Sequence, residues 1–339
     1  MNIKTIASMA GVSVATVSKI INNYSDIGEE TRQRVQKILD ETGYKPSSSA
    51  KTLATKKSNI IGVVFAGKLN SDLNHPFFVS VINSFKKHIG FLGYDILLFS
   101  NEKFSTAKED YLARCRHYQV DGCIIIAGDD IEASVHNLDQ SIIPCIGVDI
   151  ALSGTNSSYI MSDNMKVSAK VVEHFYLSGY REIGFLGIER SSVVTSMRET
   201  AFHESLRNFG ITVNPDWIIH SNEYDEESGY KAMKAFIAKG TLLPQAIFAV
   251  SDLLAFGAMR ALKEHNLTIP GDVAIIGCDD IDACSYTDPT LTTVRQDKEK
   301  IGRLAAMMLY DLINKQMEPG VIMIEPEIVI RKSCGGRSV

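Results

Sequence analysis

Apolar and polar positions change their period once along this chain. Over the first 45 residues the apolar positions recur at helical spacing. Ile3, Ile6, Ala7 and Ala10 fall on one face, and Asn2 ahead of them can accept from the free N–H groups of a first turn. Gly11 breaks that pattern. Ser13 can cap a second helix from Val14 to about Asn22, and a third runs from about Glu29 to Glu41. Val35, Ile38 and Leu39 face inward on this third helix, and Gly43 closes it. From Asn59 onward, short apolar, β-branched runs alternate with helical patterns. The runs are 60–65, 94–99, 122–127, 142–148, a restart at Tyr159, 183–188, 246–250 and 273–277, with a last helix over 298–314 and a strand over 321–330. Helical patterns cover 76–89 and 106–118. Continuous apolar strands separated by helices predict parallel sheets buried on both faces, and two successive βα series predict two doubly wound subdomains. The fold class is therefore α/β, preceded by a small all-α head.

Within the head the spacing carries chemistry. Ala7, then Gly11 four residues on, then Val17 six further, is the arrangement a helix-turn-helix needs. The small Ala lets two helices approach, Gly takes the left-handed turn and Val locks the second helix onto the first. The second helix turns Ser13, Val14, Ala15, Thr16, Ser18 and Lys19 outward, a face small enough for a major groove about 12 Å wide.

Charge supports that reading only when it is divided. The 339 residues carry 35 basic and 40 acidic side chains, a net −5. Residues 1–58 hold nine basic and five acidic ones, a net +4, which leaves −9 on the remainder. A basic head on an acidic body suggests an anion-binding module joined to a larger domain. The six cysteines are scattered with no C-x-x-C and no His at zinc spacing, which predicts reduced thiols in a cytoplasmic protein without a metal. No apolar segment resembles a secretory leader or reaches the roughly 18 residues of a membrane span, so no membrane partner is expected. Neither G-x-G-x-x-G, a P-loop nor G-x-S-x-G occurs at a strand–helix turn, so catalysis and a bound cofactor are not expected.

Residues 11–18 (GVSVATVS), Ile21-Asn22-Asn23, Glu30-Thr31-Arg32 and Gly43-Tyr44-Lys45-Pro46 resemble the N-terminal module of the lactose-repressor/galactose-repressor family of bacterial transcription regulators. The resemblance is specific over residues 3–57 and continues in order along the chain. It implies a helix-turn-helix domain over 1–45 in which Val14 and Ala15 read bases, while Ser13, Thr16, Ser18, Lys19, Asn22 and Tyr44 complete the DNA contact. Lys19 stands where the family more often has Arg, Thr5 where an acid often sits and Gly28 where Ser often caps. Residues 46–58 correspond to the hinge segment. There the resemblance implies that Leu53, beside Ala54, wedges into the minor groove while Lys51, Lys56 and Lys57 meet phosphates.

Residues 59–332 would form the family's core, which resembles periplasmic sugar-binding proteins. The expected N-subdomain covers about 59–160 and 292–320, and the C-subdomain about 161–291 and 321–332. A small effector would lie between them, at the carboxyl ends of the strands. Phe77 is expected to pack on that effector, Arg198 to bind it bidentately, Tyr224 to stack on it, and Asp149, Asp163, Asp252 and Asp279 to accept its hydrogen bonds; Gln296 lies near the hinge. Asp163 and Asp252 also stand where a helix cap is needed. Trp217 is expected to pack, and Asp280 and Asp282 to face solvent. The whole then predicts a homodimeric repressor of a carbohydrate-utilisation operon, which binds a near-palindromic operator under the control of a sugar or sugar derivative.

Overall fold

A computed structural model describes residues 1–44, 52, 57–67, 75–99, 110–128, 131–189 and 193–335. Lys51, Leu53, Ala54 and Lys56, on which the hinge expectation rests, lie outside the described residues. The chain divides into two compact units, 1–58 and 59–339.

In the first unit, α1 (Ile3–Ala10), α2 (Val14–Ile21) and α3 (Glu29–Thr42) form within a residue or so of their predicted ends. Asn2 Oδ1 accepts from Thr5 N at 3.0 Å, and Ser13 Oγ accepts from Thr16 N at 3.0 Å, so both predicted caps are made. Gly11 takes φ 64 in the turn and Gly43 φ 59 after α3, where any side chain would be strained. Ile6, Ala7, Ala10, Val17, Ile20, Val35 and Leu39 make one buried core, with Ile38 and Tyr44 packed against it.

In the second unit, two six-stranded sheets each carry helices on both faces. The elements of the first half are β1 (Ile60–Ala66), α4 (Pro76–Phe91), β2 (Asp95–Leu98), α5 (Tyr111–Tyr118), β3 (Gly122–Ala127), α6 (Ala133–Asp139), β4 (Cys145–Val148) and β5 (Ser157–Ser162). Those of the second half are α7 (Asn164–Leu177), β6 (Ile183–Ile188), α8 (Val193–Asn208), β7 (Ile218–Ser221), α9 (Glu226–Ala238), β8 (Ala246–Ala249), α10 (Asp252–Glu264), β9 (Ala274–Asp279) and β10 (Thr292–Arg295). The chain then returns through α11 (Lys298–Ile313), β11 (Val321–Ile324) and β12 (Glu327–Val329). Sheet order is β11-β5-β4-β3-β1-β2 in one subdomain and β12-β10-β9-β8-β6-β7 in the other. Every pairing is parallel except β10 with β12. β4, β6, β8 and β9 are buried at every position, as continuous apolar runs require.

Helices approach closely where glycine permits it. A Cβ on Gly302 of α11 would sit 2.7 Å from Ser84 Cβ of α4, and one on Gly229 of α9 would sit 2.6 Å from the Leu254 carbonyl of α10. All six cysteines are free and buried. Among the described residues no helix is long and apolar enough to cross a membrane.

The strand predicted over 321–330 is instead two strands in different sheets. Pro326 has no N–H to continue a ladder, and Glu325 beside it is held by Lys166 at 2.5 Å and Lys170 at 3.1 Å. The chain therefore crosses at 325–326 and, likewise, after Ser162 and after Arg295. Each crossing is a few residues later than expected, because each follows the carboxyl end of a strand, whereas the expected boundaries cut through β5 and preceded β10 and β11. β10 thus belongs to the C-subdomain sheet and β11 to the N-subdomain sheet, the reverse of the expected boundaries.

Candidate DNA-reading helix and effector cleft

On α2, Ala15 is exposed, Val14 is 39% exposed, and Thr16, Ser18 and Asn22 are half-buried. Ser13 serves the cap, and its hydroxyl lies 2.8 Å from that of Thr16. Asn22 Nδ2 donates to the Ser18 carbonyl at 2.8 Å, so it closes the helix C-terminus. Lys19 forms an ion pair with Asp26, which holds the Asp26 carboxyl below the usual range. Tyr44 packs against the head core. The exposed pair Val14 and Ala15 is therefore flanked by polar groups that the fold already orients.

In the larger unit, strand carboxyl ends bring the chemistry together. Asp149 follows β4, Ser162 ends β5, Asp279 ends β9 and Gln296 follows β10. Arg198 of α8 is 4% exposed. Its Nε donates to Asn164 Oδ1 at 2.8 Å and its Nη1 to the Val250 carbonyl at 2.7 Å, and its own carbonyl accepts from Ser168 Oγ at 2.6 Å. The guanidinium is thereby fixed, and Asp149, Asp279 and Tyr224 all contribute to the field that holds its charge. Asp149 and Ser162 come from the N-subdomain, and Arg198, Tyr224 and Asp279 from the C-subdomain, so the cluster spans both halves. The Tyr224 hydroxyl is hydrogen-bonded to that of Thr195.

Asp252, the first residue of α10 after the Ser251 cap, is fully buried. Thr293 Oγ1 donates to its Oδ1 at 2.5 Å and Ile281 N to its Oδ2 at 2.9 Å, so it ties α10 to the ends of β9 and β10. Gln296 Nε2 donates to Asp279 Oδ1 at 2.6 Å. Lys298, at the start of α11, donates to the Asp279 and Asp280 carbonyls at 2.6 and 2.7 Å. Burial raises all three acids against partial relief from neighbouring cations and donors: Asp149 and Asp279 to about 6, and Asp252, beside Asp279, to about 7. Asp149, Asp279 and Asp280 also adopt φ of 56, 124 and 51, positive values uncommon outside glycine that concentrate at functional strand ends.

Five buried side-chain atoms among the described residues have no hydrogen-bond partner: His75 Nδ1, Asp149 Oδ1, Ser162 Oγ, Gln296 Oε1 and Ser134 Oγ. The first four belong to this cluster. An unpaired buried polar group costs about 1–3 kcal/mol, so four in one place mark a surface shaped to receive polar atoms from elsewhere.

Three expected residues sit differently. Phe77 is 2% exposed inside the N-subdomain core, because Phe77, Val81, Phe85 and Ile89 form the buried four-residue stripe of α4. Phe78 is the ring beside His75, at 5.4 Å between centroids. Asp163 caps α7, accepting from Lys166 N at 3.2 Å, with the Lys166 ammonium 3.5 Å away. Asp280 does not face solvent: its carboxylate binds Arg295 at 2.7 Å and Arg331 at 2.6 Å. Trp217 packs as expected, its Nε1 donating to the Leu242 carbonyl at 2.8 Å. Sequence reasoning assigned no role in this cluster to His75, Ser162, Asn164, Thr293 or Lys298. Asn164 carried the one usable signal, since it opens a helix one residue beyond a strand that ends at a crossing.

Residues 2–47 match the profile of "Bacterial regulatory proteins, lacI family", and residues 172–334 match "Periplasmic binding protein-like domain". The chain is 30% identical over 334 residues to the HTH-type transcriptional repressor PurR of Photobacterium profundum, covering 98% of both chains. The chain belongs to the lacI family of bacterial regulatory proteins. To the PurR repressor of Pasteurella multocida it is 29% identical over 337 residues, 99% of each chain. The lac repressor dimer bound to operator and the anti-inducer ONPF superposes with a TM-score of 0.82 at 26% identity, with 98% of both chains covered. As a lacI-family member this chain is a DNA-binding transcriptional repressor, and its curated relatives are repressors rather than enzymes.

Proposed function

We propose that this lacI-family repressor acts in the cytoplasm as a homodimer on a near-palindromic operator of carbohydrate-utilisation genes, and that a sugar-like molecule in the cleft controls its affinity. The observation that carries the effector reading is the chemistry of the unpartnered atoms around Arg198. Asp149 Oδ1 and Gln296 Oε1 can only accept, and Ser162 Oγ can do either. Acceptors therefore prevail among the unpartnered atoms beside Arg198. A polyol brings one donor and two acceptor lone pairs per hydroxyl, and vicinal hydroxyls suit a fixed guanidinium. Binding across both subdomains favours one of their relative orientations, and a few kcal/mol of preference suffices to shift a two-state repressor.

A thermal-shift panel on the full chain tests this. It should contain neutral sugars, sugar phosphates and, because they also bring N–H donors, purine bases. Stabilisation by a sugar is expected; stabilisation by a purine base alone would overturn the sugar reading.

For the head, Val14 and Ala15 read base edges while Ser13, Thr16 and Lys19 reach phosphates. Support comes from the exposure of that pair beside an oriented polar rim. Leu53 supplies the minor-groove wedge. Leu53→Ala is expected to weaken operator binding by about tenfold or more in fluorescence anisotropy, and binding to scrambled duplex by much less. Equal loss on both duplexes would remove the wedge.

A further inference from the structure

α2 carries a single charged side chain, Lys19, in its last turn. The connector to α3 fixes what surrounds that ammonium. Asn23 takes φ 56, its N–H donates to the Ile20 carbonyl at 3.0 Å, and the Tyr24 N–H donates to the Lys19 carbonyl at 3.0 Å. These two bonds make a Schellman closure, which turns the chain back over the end of the helix. Arg32 of α3 then donates to the Tyr24 carbonyl. With the connector held at both ends, the Asp26 carboxylate meets the Lys19 ammonium, although both side chains are exposed. Lys19 and then Arg32 hold the Asp26 carboxyl below its usual range, so it is ionised. Other acids of the head find partners within α3: Glu29 accepts from Gln33, Asp40 from Gln36, and Glu41 lies 3.8 Å from Lys37. Asp26 is instead bound to the helix that faces DNA.

A cation that meets a phosphate releases a counterion, and each such contact steepens the loss of affinity with salt by about 0.9 in log–log slope. An acid beside the same phosphate opposes that release. To reach DNA, Lys19 must exchange the Asp26 carboxylate for a phosphate, and the carboxylate is then left in the negative field of the backbone. Lys19 and Asp26 together bring no net charge. The helix forgoes one contact of electrostatic affinity, worth about eightfold at about 0.1 M salt and about twofold at about 0.5 M, since this contribution vanishes toward about 1 M.

We propose that Asp26 is a built-in attenuator of DNA binding: by pairing with Lys19 it cancels the one cation of α2, so that this helix engages duplexes through Val14 and Ala15 with little phosphate attraction of its own. The effect acts on phosphate contacts, so it falls equally on specific and non-specific duplex. It rests on α2 as the DNA-reading helix.

Fluorescence anisotropy of the full-length chain tests this on two labelled duplexes, one selected by wild type from a random pool and one of scrambled sequence, between about 0.1 and 0.5 M salt. Asp26→Asn should bind both about eightfold more tightly at the low end and about twofold at the high end, a slope steeper by about 0.9. Asp26→Glu, which keeps the charge, should stay within about twofold of wild type. Asp40→Asn makes the same change in net charge about 16 Å along α3 from Glu29, beyond a Debye length of about 10 Å, and should leave the slope unchanged. An unchanged slope or weaker binding in Asp26→Asn, an equal gain in Asp40→Asn, or the same gain in Asp26→Glu would overturn the attenuator. A gain confined to the selected duplex would make Lys19 a base reader and overturn the phosphate assignment. Ala15→Glu, which puts an acid on the exposed face of α2, tests the reading beneath the proposal: it should abolish binding to the selected duplex. Wild-type binding in that variant would remove α2 as the reader, and the proposal with it.

Discussion

Arg198→Lys is expected to give a repressor that no longer answers its effector. Lysine keeps the charge that Asp149 and Asp279 require, so the cleft is not left with three acids and no central cation. It loses the planar fork that places one nitrogen on Asn164 Oδ1 and another on the Val250 carbonyl. A flexible ammonium cannot make both bonds and still present a donor at a defined place, so the exchange is not conservative at a buried bidentate position. The effector Kd should rise about 100-fold, which corresponds to roughly 3 kcal/mol. Loss of the two internal bonds should lower stability by about 1–3 kcal/mol. Anisotropy of a labelled operator, titrated with whichever sugar stabilises wild type, reads the first effect, and urea unfolding the second. A wild-type response midpoint in Arg198→Lys would place the effector elsewhere.

The two units differ in how much of them the sequence discloses, and the difference is one of range. Each head signal is local. Asn2 bonds Thr5, Ser13 bonds Thr16, and Gly11 turns between them, so caps and spacing give three helices almost to the residue. The strands of the core are legible for a similar reason, since continuous apolar runs such as 183–188 and 122–127 have few alternatives. Long-range pairing decides what was not legible. Asp252 reads as a helix-start acid, and only contacts with Ile281 and Thr293, 29 and 41 residues away, make it a buried tie. Asp280 reads as solvent-facing until the fold brings Arg295 and Arg331 to it. Phe77 and Phe78 are adjacent rings, and their roles are set by the rotation of α4 against α11 and the sheet, which a short pattern leaves free. Arg198, Asp149 and Asp279 do meet in one cluster, but their unpartnered neighbours His75 and Ser162 emerge only when both sheets are placed.

Asp279→Asn should make the ligand-free core more stable near neutral pH and leave it little changed in acid. Asp279 and Asp252 are both raised, to about 6 and about 7 from an ordinary 3.8, mainly by burial. Between about pH 4 and 7 the folded state therefore binds more protons than the unfolded chain at these sites. Their contribution to stability is fully present below about pH 4, where both states are protonated, and is lost as pH rises through about 6 and 7. Other carboxylates, such as Asp280 held low between its two arginines, act in the opposite direction, but they are common to both proteins and cancel in the comparison. The introduced amide would keep a carbonyl oxygen for Gln296 Nε2 while removing the charge and its repulsion of Asp252. The variant should gain on the order of 1–3 kcal/mol over wild type at about pH 7.5, and the gain should shrink to near zero by about pH 4. Paired urea unfolding curves across that range measure it, and a pH-independent difference would mean that the two acids do not share their charge. The same variant should bind sugar more weakly, because a carboxylate accepts hydroxyl donors more strongly than an amide. Stability and effector affinity would then move in opposite directions, as expected where a site keeps buried like charges for the hydroxyls that neutralise them.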